Sequence, residues 1–178
     1  ILMKVRNNQG APVLIHRTYI LPDGRKVNLG KYNKAKKMTP PTTKEVNGRH
    51  SRLFDSKDGY IGVSEGLETA LAVTQVKKLP VWPCLSNTML QNFVPPEGVH
   101  TVINFVDKDR SKAGENSHEI LKANLSAKGI RVIGLYPPAP ILDSDEKGVD
   151  WADQLKRDVS GFDLLDEVFA GDILMEAY

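Results

Sequence analysis

The chain has 178 residues, 40% hydrophobic and 26% charged, with a formal charge of +2 and one cysteine. That is enough for one full domain plus a small appendage, and no run is long and apolar enough to cross a bilayer. The single Cys84 excludes an internal disulfide and a cysteine-rich zinc site within these residues, so a reducing, cytoplasmic setting is expected.

The chain opens at Ile1 without a signal-like segment, and it reads as a piece of something longer. Residues 1 to about 30 read as a small β unit. Met3 to Arg6 alternates, Asn7-Asn8-Gln9-Gly10 is turn chemistry, and Pro12 to Leu21 is a second strand. Pro22-Asp23-Gly24 is a turn, and Arg25 to Leu29 is expected as a third strand. Residues 31–52 are polar, contain Pro40-Pro41, and read as a long loop. From Arg25 to Arg52 nine basic residues face one acid, a local +8 that leaves −6 elsewhere. Such a separation suggests a polyanion-binding arm beside an acidic, cation-binding body.

From Tyr60 the pattern is regular. Strands are expected at Tyr60–Ser64, Leu79–Leu85, Val99–Val106 and Arg131–Tyr136. Helices are expected from Leu67, from Ser86-Asn87 as cap to Phe93, and over Glu115–Lys128 with Ile120, Leu121 and Leu125 on one face. A short helix follows from Val149-Asp150-Trp151, and another over Phe162–Ala170. Pro80 and Pro83 put their strand at an edge. Strands alternating with helices define an α/β fold, a parallel sheet flanked by helices and preceded by a small β-rich subdomain. The expected division is 1–57, 58–157, and a helical tail at 158–178.

Two strands end in acids. Glu65 follows Tyr60–Ser64, and Asp107 and Asp109 close the apolar run Val99–Val106. On extended backbone, residues two apart point the same way, which would align the two aspartates. If the strands are neighbours, about 4.8 Å apart, all three carboxylates fall within one coordination sphere. Three such charges call for a cation, and hard oxygen ligands select Mg2+ or Mn2+. Lys108, Arg110 and Lys112 flank the acids and are expected to hold phosphates. Asp150 is expected chiefly as a helix cap and only weakly as a metal ligand. Glu68 and His118 are expected on solvated surfaces, and Trp82, Trp151 and Cys84 in the core.

Val63-Ser64-Glu65-Gly66-Leu67-Glu68-Thr69-Ala70, then Asn104-Phe105-Val106-Asp107-Lys108-Asp109 with Gly114, resembles the Toprim domain. The Glu-Gly-x-Glu-Thr-Ala stretch and Gly148-Val149-Asp150-Trp151-Ala152-Asp153 resemble the plasmid and phage branch of bacterial-type DNA primases. The resemblance implies a Rossmann-like parallel sheet, with Glu65, Asp107 and Asp109 as catalytic and Mg2+-binding groups. It implies RNA primer synthesis on single-stranded DNA from ribonucleoside triphosphates, alongside a helicase. His16, Arg17, Lys31, Lys36 and Lys37 would contact phosphates. The zinc module of complete primases has no counterpart in a chain with one cysteine. A non-catalytic nucleic-acid-binding module and a nuclease of the same metal chemistry are the alternatives. The variant Asp109→Ala is expected to abolish synthesis while leaving the fold intact.

Overall fold

The computed structural model describes residues 1–27, 35–43, 48–56 and 59–170. Strands β1 (Leu2–Arg6) and β2 (Pro12–Thr18) form an antiparallel hairpin, and β3 (Lys36–Met38) joins the other edge of β2. Asn7 shapes the hairpin turn. Its carbonyl accepts Gly10 N–H, and its side chain accepts Ala11 N–H at 2.9 Å. Met3, Val5 and Val13 alternate inward along the pair, as a half-buried sheet requires.

The third strand is not where the sequence put it. Of the expected segment Arg25–Leu29, the described residues make only an isolated bridge, Lys26 to Ile20, which closes the turn at Pro22–Gly24. The strand is instead Lys36–Met38, inside the expected loop. An edge strand with one wet face needs no apolar run, so polar composition does not exclude it. A second part of that loop is buried. Arg6 and His50 exchange both backbone hydrogen bonds, Ser51 N–H donates to Pro83 O, and the His50 ring stacks on Trp82 at 5.1 Å. Residues 48–51 thus act as a strut between the small sheet and the larger one.

The larger unit runs β4 (Tyr60–Ser64), α1 (Leu67–Lys77), β5 (Val81–Pro83), α2 (Asn87–Gln91), β6 (Thr101–Phe105), β7 (Lys108–Asp109) and α3 (Ala113–Ser126). It continues through β8 (Arg131–Leu135), β9 (Gly148–Val149), α4 (Trp151–Arg157), a 3-10 turn at Val159–Phe162, and α5 (Leu164–Val168). Four strands form a parallel sheet of order β5-β4-β6-β8, with the proline-bearing β5 at one edge. Every residue of β4 and β6 is buried, because helices cover both faces. One core holds Ile103, Phe105 and Trp151 with α1 and α4, and the other holds Ile61, Val63 and Trp82 with α2 and α3.

From β4 the chain crosses through α1 to β5 on one side. From β6 it crosses through α3 to β8 on the other. The reversal falls between β4 and β6, and the C-terminal ends of those two strands open a crevice there. The surface of α3 differs from expectation. Gly114, Ser117, His118, Leu121 and Leu125 face inward, and Ile120 is exposed. His118 is buried against Gly134 and meets the Asn104 amide at 3.2 Å, so it is not a surface histidine.

Candidate active site

In the β4–β6 register Ser64 stands opposite Phe105, so Glu65 and Asp107 leave neighbouring strands at nearly the same height. Both line two adjoining cavities of about 320 and 300 Å3, shared with Lys147 and Asp150. The first cavity is closed on its far side by His16, Lys26 and Lys36 of the small β unit. The second is rimmed by Asp109, Lys108 and Asp153.

The strand does not continue straight through the aspartates. It ends at Phe105, with Val106 N–H still donating to Leu135 O, and Lys108–Asp109 pair antiparallel with Gly148–Val149. The two aspartates therefore belong to different ladders, and their carboxylates take different partners. Asp107 is largely buried and accepts the Thr69 hydroxyl at 3.1 Å. Burial and the nearby charges of Asp150, Glu65 and Asp109 push its pKa up to about 7, outweighing that hydrogen bond. Asp109 is turned onto the start of α3. One oxygen accepts Ser111 N–H, Ala113 N–H and the Ser111 hydroxyl, and the other accepts Gly114 N–H at 2.8 Å. Partial burial works against its charge, but these donors hold the carboxyl below its ordinary value.

Glu65 is half-buried. Burial, then the charge of Asp109, raises its pKa. A tight turn supports it: Ser64 Oγ donates to Gly66 O, and the Glu65 carbonyl receives Leu85 N–H. Asp150 does two things. Its side chain accepts Asp153 N–H at 2.8 Å as one half of a capping box on α4, and it also lines both cavities. Burial raises its pKa. Two glycines let these segments meet. A Cβ at Gly114 would collide with the Asp107 carbonyl, and one at Gly148, where φ is +148°, with the Lys108 carbonyl.

The expected single coordination sphere is corrected by this arrangement. Among the described residues, no three acidic, histidine or cysteine side chains are gathered closely enough to hold a metal as they stand. Asp109 is held instead by the N–H groups at the start of α3. A hard divalent cation still suits the donor set. Mg2+ is held by one or two carboxylates plus waters, and Asp109 uses one of its two oxygens for a single donor only.

The expected phosphate contacts divide. His16 is buried at the cleft wall with Nδ1 lacking a hydrogen-bond partner, and burial followed by the Lys36 charge lowers its pKa. Lys36 lines the same wall. Arg17 and Lys37 belong to β2 and β3. Lys31 lies outside the described residues. Lys108 does not point into solvent for phosphate, because its ammonium donates to Pro137 O and Ala139 O at 2.9 and 2.6 Å. Arg110 is likewise spent on Asp145 O and Leu142 O. Lys112 is exposed, immediately before α3.

Three residues were given no such role by the sequence. Glu68 is not on a solvated face: it pairs with Lys26 and with Lys36, at 2.9 Å for the latter, and so ties α1 to the small β unit. Burial opposes its charge, but the two lysines bring its pKa down to about 2. Thr69 orients Asp107. Both lie in the Glu-Gly-x-Glu-Thr stretch, which is the local signal for them. Lys147 has none.

Acids at the switch point of this sheet, with the glycines that admit them, define the class. The Toprim domain profile matches residues 60–160, and the chain belongs to the Toprim family. The fold of the described residues is similar to part of several DNA primase catalytic cores. It is similar to a DNA primase domain from Pseudomonas aeruginosa, with TM-score 0.60 and 15% identity over 96% of this chain and 50% of that one. It is similar to a DnaG primase catalytic domain bound to single-stranded DNA, with TM-score 0.58 and 16% identity over 93% and 50%. The primase fragment of the Bacteriophage T7 primase-helicase protein gives TM-score 0.53 and 18% identity over 94% and 61%. The chain spans about half the length of the first two. No curated protein matches its sequence.

Proposed function

We propose that this chain is the catalytic core of a DNA primase of the plasmid and phage kind, which makes RNA primers on single-stranded DNA by Mg2+-dependent nucleotidyl transfer. The observation that carries this reading is the cleft itself. Glu65, Asp107 and Asp150 form one wall, His16, Lys26 and Lys36 form the other, and Asp109 stands at the rim. An acidic wall suits a cation and a basic wall suits a triphosphate or template backbone.

Asp107 and Asp109 would hold Mg2+ or Mn2+, with Asp150 as a weaker third group. When bound, the cation neutralises phosphate charge and lowers the barrier to attack on the α-phosphate. Glu65, with its raised pKa, would accept the proton of the attacking 3′ hydroxyl. Thr69 fixes the Asp107 carboxylate. Lys36 and Lys26, aimed by Glu68, and His16 on the same wall would bind phosphate oxygens. Residues 1–57 would guide template and nucleotide, and 58–157 would carry the chemistry. A replicative helicase is the expected partner, in the cytoplasm.

A second reading rests on the engagement of Asp109 with α3. If that carboxylate stays there, the chain is a Toprim nucleic-acid-binding module without synthesis. The test is incubation with single-stranded DNA, labelled ribonucleoside triphosphates and Mg2+. Labelled primers that disappear in Asp107→Asn support the primase. Salt-dependent DNA binding without product supports the module. Nicking of plasmid DNA would mark the nuclease of the same metal chemistry.

A further inference from the structure

We infer that a second nucleic-acid contact lies apart from the acidic cleft, along the β5 edge of the sheet, where Arg6, Arg52 and Phe54 seat a phosphodiester and an unstacked base of a single strand. These residues line a cavity of about 420 Å3 with Leu53 and Asp55. A neighbouring cavity of about 290 Å3 shares Phe54 and Asp55 and extends to Thr74, Lys78, Leu79 and Pro80. Lys78 ends α1 and Pro80 precedes β5, so the second cavity reaches the N-terminal end of β5, while Ser51, next to Arg52, bonds Pro83 at the other end of that strand. The acids stand at the C-terminal edge. These two cavities share no lining residue with the cleft.

Arg6 and Arg52 are close enough to act on each other, and together they make a local excess of positive charge. Arg6 Nη1 donates to Gly10 O at 2.7 Å. Arg52 Nε faces His50 Nε2 at 3.3 Å, and its guanidinium lies 4.9 Å from the centre of the Trp82 ring. Among the described residues neither arginine forms an ion pair, and Asp55 in the same cavity pairs with neither. His50 beneath them adds no charge at neutral pH. Burial, with the two arginines, brings its pKa down to about 4 against a hydrogen bond to Gly48 O. Two unneutralised guanidiniums side by side are a seat for an anion.

The aromatic group selects among anions. Phe54 is 41% exposed, beside both arginines. An acidic peptide would use the guanidiniums and leave the ring in water. A single strand uses both, because each nucleotide offers a phosphate and a base face that stacks on an aromatic ring regardless of sequence. Both cavities border Phe54, so a strand passing over it would meet Lys78 on the far side.

The chain has two tryptophans, and they provide the readout. Trp82 Nε1–H donates to the Phe54 carbonyl at 2.6 Å, so its indole N–H signal reports on this seat. Trp151 Nε1–H donates to the Leu135 carbonyl in the core and serves as internal control. The 15N-labelled full chain is titrated with oligothymidylate at low salt. The Trp82 indole resonance is expected to move and that of Trp151 to stay. Phe54→Ala should raise the Kd read at Trp82 roughly fivefold or more. The double variant Arg6→Gln/Arg52→Gln should reduce the slope of log K against log salt by about 0.7, the share of one phosphate on a single strand.

A Trp82 signal that stays still while the chain saturates with oligothymidylate overturns the inference. So does an equal shift with inorganic phosphate or thymidine monophosphate at the same concentration, which would make the seat one for a free anion. Should the arginine variant fail to fold, the Trp82 and Trp151 contrast in wild type and in Phe54→Ala still decides. The Asp107→Asn chain should keep the Trp82 shift while losing synthesis, which separates this site from the cleft.

Discussion

Asp107 is the acid whose charge this fold tolerates least, and replacing it should make the metal-free protein more stable. In the unfolded chain its pKa is near 3.8, and in the folded one burial, Asp150, Glu65 and Asp109 raise it to about 7. Between those values the folded protein holds a proton that the unfolded chain has released. The folded state is therefore favoured below about pH 4 and loses that advantage as pH rises through about 7. The difference between 3.8 and about 7 is worth about 4 kcal/mol above pH 7 if it is expressed in full, and about half that if water enters the cleft. Asparagine keeps the side chain's shape and its acceptor for the Thr69 hydroxyl, and it never ionises. Asp107→Asn in EDTA should thus be more stable than wild type by about 2–4 kcal/mol near pH 8, roughly 5–15 °C in Tm, with almost no difference near pH 4. Urea unfolding at the two pH values measures this directly. Added Mg2+ should then raise the Tm of wild type and leave the variant unmoved, because only a state that binds the ion gains by mass action. Equal stabilities near pH 8 in EDTA, or the same gain at both pH values, would refute the account of Asp107.

Asp109→Ala should abolish the Mg2+-induced Tm shift and also cost about 1–2 kcal/mol in urea unfolding, because α3 loses the acceptor for its first N–H groups. The fold is expected to survive this loss, and the variant's activity has to be read beside its stability. Glu68→Gln should cost up to about 1 kcal/mol at low salt and little at high salt, as expected for ion pairs near the surface. The Glu68 pKa is depressed to about 2, so the wild-type contribution is present above about pH 4.5 and fades as pH falls through about 2. Gly114→Ala should lower stability by about 1–3 kcal/mol, although alanine favours helices, because the new methyl meets the Asp107 carbonyl. Thermal unfolding by circular dichroism reads that sign.

Much of the sheet could be read from the chain because its information is local. Tyr60–Ser64 and Thr101–Phe105 are short apolar runs ended by acids, and Pro80 and Pro83 keep β5 at an edge. The turn at Gly66, the cap at Ser86 and the stop at Gly129 are likewise signals within a few residues. What escaped depended on distant partners. Glu68 looked solvated because Lys36, its partner, is 32 residues away. His118 looked exposed because the glycine it covers, Gly134, sits on the next strand. Lys36–Met38 looked like loop because an edge strand with a wet face carries no apolar pattern.

The order of residue types along the chain sufficed to put Glu65 and Asp107 at strand ends, since alternation and burial of a strand are properties of a few consecutive residues. It sufficed as well to mark the family. Folding alone decided how each acid is used: Asp107 raised and clamped by Thr69, Asp109 drawn to α3, Asp150 shared between a cap and the cleft. Desolvation, hydrogen-bond donors and opposing charges come from segments far apart in the chain, and they exist around a carboxylate only once the sheet has closed.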